Sequence, residues 1–373
     1  MKQKKLVIYF FILSIALTLV LPVLNLSFTY SKYKKINLQS FSKQQLFSTN
    51  NLESIRNYFV YNMFNYSLNE AQVIAGKDNF LFLGNQYARV IDNVKGTFSY
   101  DSKDIDIWAA KLKKLQDWYE KQGIQFIIVV ASNKHTIYSD KLPDSIQYKE
   151  GETLTDDIVK SSLNKNIHIL NLKKALREKK EAKQLYFYTG THWNNYGAFI
   201  GYVNTIGYLN TKYKENYKIA NFPMTETTQG GNDLTNFLKI NHLLSNSYEK
   251  NYRFIFKQKK VRIGKITKNY KLAKYDPSIK INGFDKYIIN EHSLNKQKLL
   301  YLCDSFGGAN TQFYTETFNT VWRLHHRYLN ASSLAGFIQK HKPDIVIYQI
   351  VERGLYDNSI VEDMSKVSKS EHP

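Results

Sequence analysis

Apolar residues fall along the chain in three regimes. The first is an unbroken run, LVIYFFILSIALTLVLPVLNLSF from Leu6 to Phe28, with Lys2, Lys4 and Lys5 just before it. The second, residues 31–75, is polar with aromatic interruptions and reads as a stalk with lead-in helices, helical from Leu46 to Phe64. The third begins at AGKDNFLFLGNQ, where a turn leads into a short strand, Phe80–Leu83. From Asp104 to Gly123, Ile105, Trp108, Ala109, Leu112, Leu115, Trp118 and Tyr119 recur at three- and four-residue steps, which predicts an amphipathic helix stopped by Gly123. IQFIIVVAS then reads as a strand buried on both faces.

The alternation continues with a helix near Asp156–Leu163, the strand IHILNL, a charged helix Leu172–Gln184, the strand LYFYTG and a helix Tyr196–Tyr213. Between about residues 214 and 296 it breaks, and RFIFKQKKVRIGKI and DKYIIN suggest short antiparallel strands in an insertion. It resumes with KLLYLCDS, a helix near Ala309–Phe318, TVWRLHH, a helix Ser332–His341 and DIVIYQIVER, and closes on a polar, frayed tail, 361–373. Strands alternating with helices predict an α/β fold with a mostly parallel sheet covered on two sides, here one folded domain over 76–360.

The first run spans roughly 34 Å as a helix, enough for a hydrocarbon core of about 30 Å. A cleaved signal peptide has a shorter apolar region ending at small residues, and Pro22, Leu24, Asn25 and Leu26 offer no such site. We therefore read residues 1–30 as a single-pass anchor in the cell membrane, with the lysines on the cytoplasmic side and the remaining chain outside. Cys303 is the only cysteine, so no intrachain disulfide forms. The formal charge of +20 suits an anionic partner such as a cell-wall polymer or lipid head groups, although the lysines are scattered. For a chain facing outwards we expect no nucleic acid.

Ser305 follows an apolar strand and precedes FGGAN, a sequence able to turn sharply into a helix. A serine there sits at the carboxyl edge of the sheet, where open α/β proteins bind ligands. The amides that follow, Phe306 first, can stabilise an anionic intermediate. His192, in THWNNYGA, also stands at a strand end and has the pKa range of a general base for a serine hydroxyl. No second ligand lies at metal spacing near it, and adjacent strand residues such as His325 and His326 point to opposite faces, so we expect no metal and no bound cofactor.

Together these phrases resemble the SGNH-hydrolase-like alginate O-acetyltransferases of the AlgX/AlgJ type. GTHWNNYGA is similar to the signature D-x-H-W-N-x-x-G-A, and CDSFGG to G-D/T-S-F. GKDNFLFLG, VVASNKHTIYSDKLP and KPDIVIYQIVER resemble three further family segments in the same order, over roughly Ala75 to Leu355. The resemblance implies an SGNH-like three-layer α/β/α core and an extracytoplasmic transferase placing acetyl groups on a polysaccharide, an anionic one among the candidates. It also implies a polytopic membrane-bound O-acyltransferase as partner. By this resemblance Ser305 is the nucleophile and His192 the general base, while Gly190 stands where the family has its acid. Asp233 in GGNDL, Glu352 in VER or a main-chain carbonyl are the candidate substitutes. Asn133 and Lys134 are candidate donors to an oxyanion or sugar, and Arg353 either lines the site or pairs with Glu352. Trp193 and Tyr196 stack on a sugar or pack inward. A carbohydrate esterase, and a polysaccharide-binding relative without turnover, are the alternatives.

Overall fold

A computed structural model describes residues 2–33, 42–245, 247–256, 261–281, 283–357 and 365–369. Along the chain the elements are α1 (Lys2–Tyr33), α2 (Lys43–Leu46), α3 (Asn50–Phe64), β1 (Val73–Ala75), β2 (Leu81–Leu83), α4 (Val90–Val94), α5 (Ser102–Lys121), β3 (Gln125–Ala131), α6 (Lys134–Ile137) and α7 (Leu154–Asn164). There follow β4 (Ile169–Asn171), α8 (Lys173–Lys179), α9 (Asn195–Tyr213), β5 (Met224–Gln229), α10 (Asp233–Phe237), β6 (Glu249–Phe254), β7 (Arg262–Ile266), β8 (Leu272–Tyr275) and β9 (Lys286–Ile289). The last are β10 (Asn295–Cys303), α11 (Gly307–Thr317), β11 (Phe318–His325), α12 (Ala331–His341) and β12 (Ile345–Val351).

An eight-stranded sheet runs in the order β4-β3-β12-β10-β11-β9-β7-β8. From β4 to β11 neighbours pair in parallel, and β9, β7 and β8 continue the sheet antiparallel beyond β11. Strand side chains alternate between two cores. Ile127, Val129, Ala131, Tyr301 and Ile347 join Trp193, Tyr202, Ile206 and Phe313 on the side of α9 and α11. Phe126, Ile128, Val130, Leu302 and Tyr348 join Trp108, Leu112, Ile158 and Phe337 on the side of α5, α7 and α12. Every residue of β12 is buried, as the continuous apolar run required. Each such Val or Ile side chain contributes about 1.5–3 kcal/mol on leaving water, which fixes the register of the central strands.

Two expectations change. The helix read over Leu46–Phe64 is broken between α2 and α3, because Asn25 of α1 donates through Nδ2 to the carbonyls of Gln45, Leu46 and Ser48 at 3.1, 2.6 and 3.0 Å. LYFYTG is not a strand of the sheet: only Tyr186 forms an isolated bridge, to Trp193, and the following backbone bonds partly to side chains and partly to single main-chain groups of other loops. The segment read as an insertion over 214–296 contains antiparallel strands, of which β7, β8 and β9 extend the central sheet beyond β11. In the tail 361–373, read as polar and frayed, only residues 365–369 are described; Val367 there is fully buried among α5- and α12-side residues, and the remaining tail lies outside the described residues.

The register aligns the carboxyl ends of three neighbouring strands, with Ala131 opposite Val351 and Gln349 opposite Cys303. The chain leaves these ends as Ser132–Asn133, Glu352–Arg353 and Asp304–Ser305, so candidate residues widely separated in sequence emerge on one edge.

Candidate active site

After β10 the chain turns through Asp304 and Ser305 into α11. Asp304 accepts from the Phe306 amide at 2.9 Å and from the Val351 amide at 2.6 Å, binding the turn to the end of β12. Burial opposes the Asp304 charge, but His326 and these two amides hold its carboxyl below the usual range. A Cβ on Gly307 would meet Cys303 Sγ at 2.4 Å and Tyr301 Oη at 2.7 Å, so the turn requires glycine there. Ser305 is exposed while Phe306 is buried. The Phe306 amide, expected as an oxyanion donor, is already taken by Asp304. No acceptor among the described residues takes the Ser305 amide.

His192 is carried not by a strand end but by a reverse loop, closed by Phe187 N–H donating to His192 O at 3.3 Å and Asn194 N–H donating to Leu185 O at 2.8 Å. Asn194 Oδ1 then caps α9 by accepting from the Tyr196 and Gly197 amides. Trp193 is buried and donates to Phe306 O at 3.0 Å, and the Phe306 ring lies 4.9 Å from the His192 ring. Trp193 therefore packs inward and locks the His192 loop to the Ser305 turn; Tyr196 packs on Tyr252.

The result is a 2.8 Å contact between His192 Nε2 and Ser305 Oγ. On the other side of the ring, His192 Nδ1 lies 3.1 Å from Thr191 Oγ1 and 3.5 Å from Asp233 Oδ2. Thr191 donates to Asp233 through both its hydroxyl, at 2.5 Å, and its amide, at 2.8 Å. With the hydroxyl donating to the carboxylate, its lone pairs face Nδ1, which assigns the proton to Nδ1 and leaves Nε2 free to accept from serine. Burial opposes the Asp233 charge, yet the His192 and Thr191 hydrogen bonds outweigh it and pull the carboxyl down to about 2.

Of the candidate acids, then, Asp233 of α10 reaches the imidazole. Glu352 does not. It is buried beneath the β3 end, accepting from Asn133 N–H at 2.7 Å, Thr136 Oγ1 at 2.7 Å and Thr155 Oγ1 at 3.2 Å. Nor do Glu352 and Arg353 form the expected pair: Arg353 donates to Asn133 Oδ1 at 3.0 Å and lies over the Phe306 ring. Gly190 sits in a cramped corner, where a Cβ would come within 2.9 Å of Phe187 Cβ and 3.1 Å of Asn232 Cγ.

Lys134, a candidate substrate donor, is instead consumed by the protein. Only 2% exposed, it donates to the carbonyls of Phe187, Tyr188 and Gly190 at 3.0, 3.0 and 2.6 Å. Burial pushes its ammonium down to about 7, with Glu249 and Asp233 opposing the shift. Glu249 of β6 takes the other side of the same peptides, accepting from the Tyr188 and Thr189 amides at 2.7 and 2.6 Å and from the Thr189 hydroxyl. A buried cation on the carbonyls and a buried anion on the amides thus clamp the loop that carries His192. Sequence reasoning missed Glu249, which no local pattern marks, and the bridging role of Thr191, whose signal was adjacency to the histidine.

Beside Asp233 opens a cavity of about 390 Å³ lined by Leu83, Gln86, Tyr87, Ala88, Thr191, Asp233, Phe237, Arg327 and Arg353. The Tyr87 and Phe237 rings stack with centroids 5.6 Å apart.

Solved structures share this fold at low identity. The chain is 17% identical to Bacillus cereus PatB1 with a TM-score of 0.58, covering 79% of this chain and 99% of that one. It is 15% identical to a DHHW family protein of Eubacterium siraeum with a TM-score of 0.56, over 80% of this chain and 95% of the other. It is also 15% identical to the O-acetyltransferase domain of Pseudomonas putida AlgJ, TM-score 0.52, over 80% and 99%. No curated protein matches by sequence. The family profile for the SGNH hydrolase-like domain of acetyltransferase AlgX matches residues 73–259, half of the 373-residue chain, and the protein belongs to that family.

Proposed function

We propose that the protein is an extracytoplasmic O-acetyltransferase that moves acetyl groups onto hydroxyls of a cell-surface or secreted polysaccharide through an acyl-serine. The observation that carries this reading is the continuous path from Ser305 Oγ through His192 to Thr191 and Asp233. His192 Nε2 takes the serine proton as Oγ attacks the acyl carbon, and the imidazolium that forms faces a carboxylate held ionised. The Ser305 amide and the Asn133 carboxamide, oriented by Arg353, are the donors we assign to the oxyanion. His192 gives its proton to the departing donor group. It then removes a proton from a sugar hydroxyl, which attacks the acyl carbon and releases Ser305 as its alcohol. Water in place of the sugar makes the same site an esterase.

α1 contains a 24-residue stretch, Val7–Tyr30, of mean hydropathy 2.7, long and apolar enough to cross a membrane. We assign it as an uncleaved anchor, with Lys2, Lys4 and Lys5 inside and the domain over 76–360 outside. A polytopic membrane-bound O-acyltransferase is the acyl source that fits this placement. Arg327 and Arg353 in the cavity beside Asp233 favour an acceptor glycan bearing acidic groups, with a sugar ring on Tyr87 and Phe237.

The test is acyl trapping. An activated phenyl acetate should leave one acetyl group on Ser305 by mass spectrometry, and Ser305→Ala and His192→Ala should abolish both adduct and turnover. Parent-like rates in both variants would overturn the mechanism. Glycan affinity retained without any acetyl transfer by the parent would make the protein a binding relative.

A further inference from the structure

α3 carries two chemically opposite faces. Glu53, Asn57 and Tyr61 turn toward the domain. Asn57 donates to Leu238 O at 2.9 Å, Tyr61 Oη lies 3.2 Å from Tyr248 Oη, and Glu53 pairs with Lys239. Leu52, Ile55, Phe59 and Met63, at steps of three and four, lie on the other side of the helix and are exposed, Phe59 by 55% and Met63 by 62%. Phe64, the last residue of the helix, packs its ring 6.0 Å from Phe59 and is exposed, as are Tyr66 just beyond it and Phe47 before the helix. A soluble domain does not leave so much contiguous apolar surface in water without a use for it.

The position of α1 says what covers the surface. Asn25 lies eighteen residues beyond Val7, about 27 Å along a helix, which places it near the far boundary of a hydrocarbon core entered at Val7. That residue is 3% exposed and is bolted to the α2–α3 connection: besides its three carbonyl acceptors, its Oδ1 accepts from Asn51 at 2.8 Å. Phe28, one turn on, packs on His242 of the domain at 5.5 Å. The start of α3 is thereby held close to the point where α1 leaves the bilayer. Glu53, Asn57 and Tyr61 are spent on the domain and Asn51 on α1, while Arg56 and Asn62 are exposed, and Arg56 is suited to phosphate head groups.

We infer that α3 is an interfacial helix that seats the catalytic domain on the outer surface of the bilayer, with Leu52, Ile55, Phe59 and Met63 in the headgroup–acyl boundary. Because Leu238 and Lys239 directly follow α10, which bears Asp233, this seat holds the acyl-transfer site against the membrane from which an acyl group is delivered. The inference rests on the anchor assignment above.

The full-length chain in protein-free vesicles of phosphatidylethanolamine and phosphatidylglycerol, with nitroxide-labelled lipid, separates the two claims. Bimane is attached to one introduced cysteine at a time; native Cys303 is fully buried. Leu13→Cys reports on insertion of α1, Phe59→Cys and Met63→Cys on α3, and Lys274→Cys on edge strand β8. An apolar face sunk about 5–10 Å into the boundary should cost the Phe59 and Met63 probes roughly twofold of their emission, while the Lys274 probe is unchanged. Quenching at Leu13 with Phe59 and Met63 as bright as Lys274 overturns the interfacial seat and leaves the anchor standing. No quenching at any of them overturns both. Probes at Phe59 and Met63 shielded from aqueous iodide but not quenched by lipid would assign the face to a second copy of the chain. Shielding that appears only when another membrane protein is added would assign it to that protein, and either result overturns the inference.

Discussion

At the scale of single residues the candidate site turns on which carboxylate reaches the imidazole. Gly190 lacks a carboxylate, and Asp233, forty-three positions later, brings one to the same imidazole. Asp233→Asn keeps the shape and removes the charge that favours the Nδ1 tautomer, so turnover should fall about 10²–10⁴-fold, read as kcat on an acetyl ester. Thr191→Val should cost roughly tenfold, the order expected for one hydrogen bond to a charged group. The same carboxylate carries a pH signature. Its folded pKa, near 2, lies below its ordinary 3.8, so its stabilisation is present above about pH 4 and is lost as pH falls toward 2. The difference in urea midpoint between the parent and Asp233→Asn should shrink across that window, and a constant difference would contradict the pairing. Gly190→Asp should not restore a missing acid. With Phe187 Cβ at 2.9 Å and Asn232 Cγ at 3.1 Å from its Cβ, it should lower both thermal midpoint and kcat, and Gly190→Ala alone should cost about 1–3 kcal/mol. A gain in activity in the aspartate variant would show that the loop yields.

Among the elements, what could be read from the chain and what could not separate along a physical line. β3, β10, β12, α5 and α9 were legible because burial imposes a continuous apolar run or a helical stripe on local sequence. The segment from Leu185 to Gly190 has the same aromatic density, yet it forms no ladder because its amides and carbonyls are taken by Glu249 and Lys134, some sixty and fifty positions away. Ser305 and His192 were legible as types at strand-end or turn positions. Asp233 stood among the candidates without rank, since only the fold of the segment between α9 and β10 brings α10 to the histidine. The clamp has a measurable consequence. Lys134→Met removes the ammonium donor from Phe187 O and Gly190 O, while Tyr188 O keeps the Leu81 amide, and should destabilise the protein by about 2 kcal/mol or more, and Glu249→Gln should cost roughly 2 kcal/mol by setting an amide donor against N–H groups. In a double-mutant cycle on denaturant midpoints the losses should be less than additive, because both act on one loop. Additive losses would mean that the two side chains brace it independently.

For the molecule as a whole, charge connects the fold to the acceptor we propose. The +20 net charge is spread over the surface, and a scattered field steers weakly at physiological ionic strength, where the Debye length is about 8 Å. Specificity for an acidic glycan must therefore come from cations placed at the site. Arg353 is held by Asn133 and the Phe306 ring, and its loss would also disturb Asn133, one of the donors we assign to the oxyanion. Arg327 is the cleaner probe: it lines the same cavity, is exposed, and has no ion-pair partner among the described residues. Arg327→Ala should raise KM for an acidic polysaccharide acceptor about tenfold, while leaving hydrolysis of a small neutral acetyl ester within about twofold of the parent. Added salt should raise KM of the parent for that acceptor and have less effect on the variant, because the interaction that salt screens is already gone. Equal KM values in the two proteins at low salt would remove the acidic acceptor from the proposal, while the acyl-serine chemistry, which does not pass through Arg327, would stand or fall on Ser305 and His192.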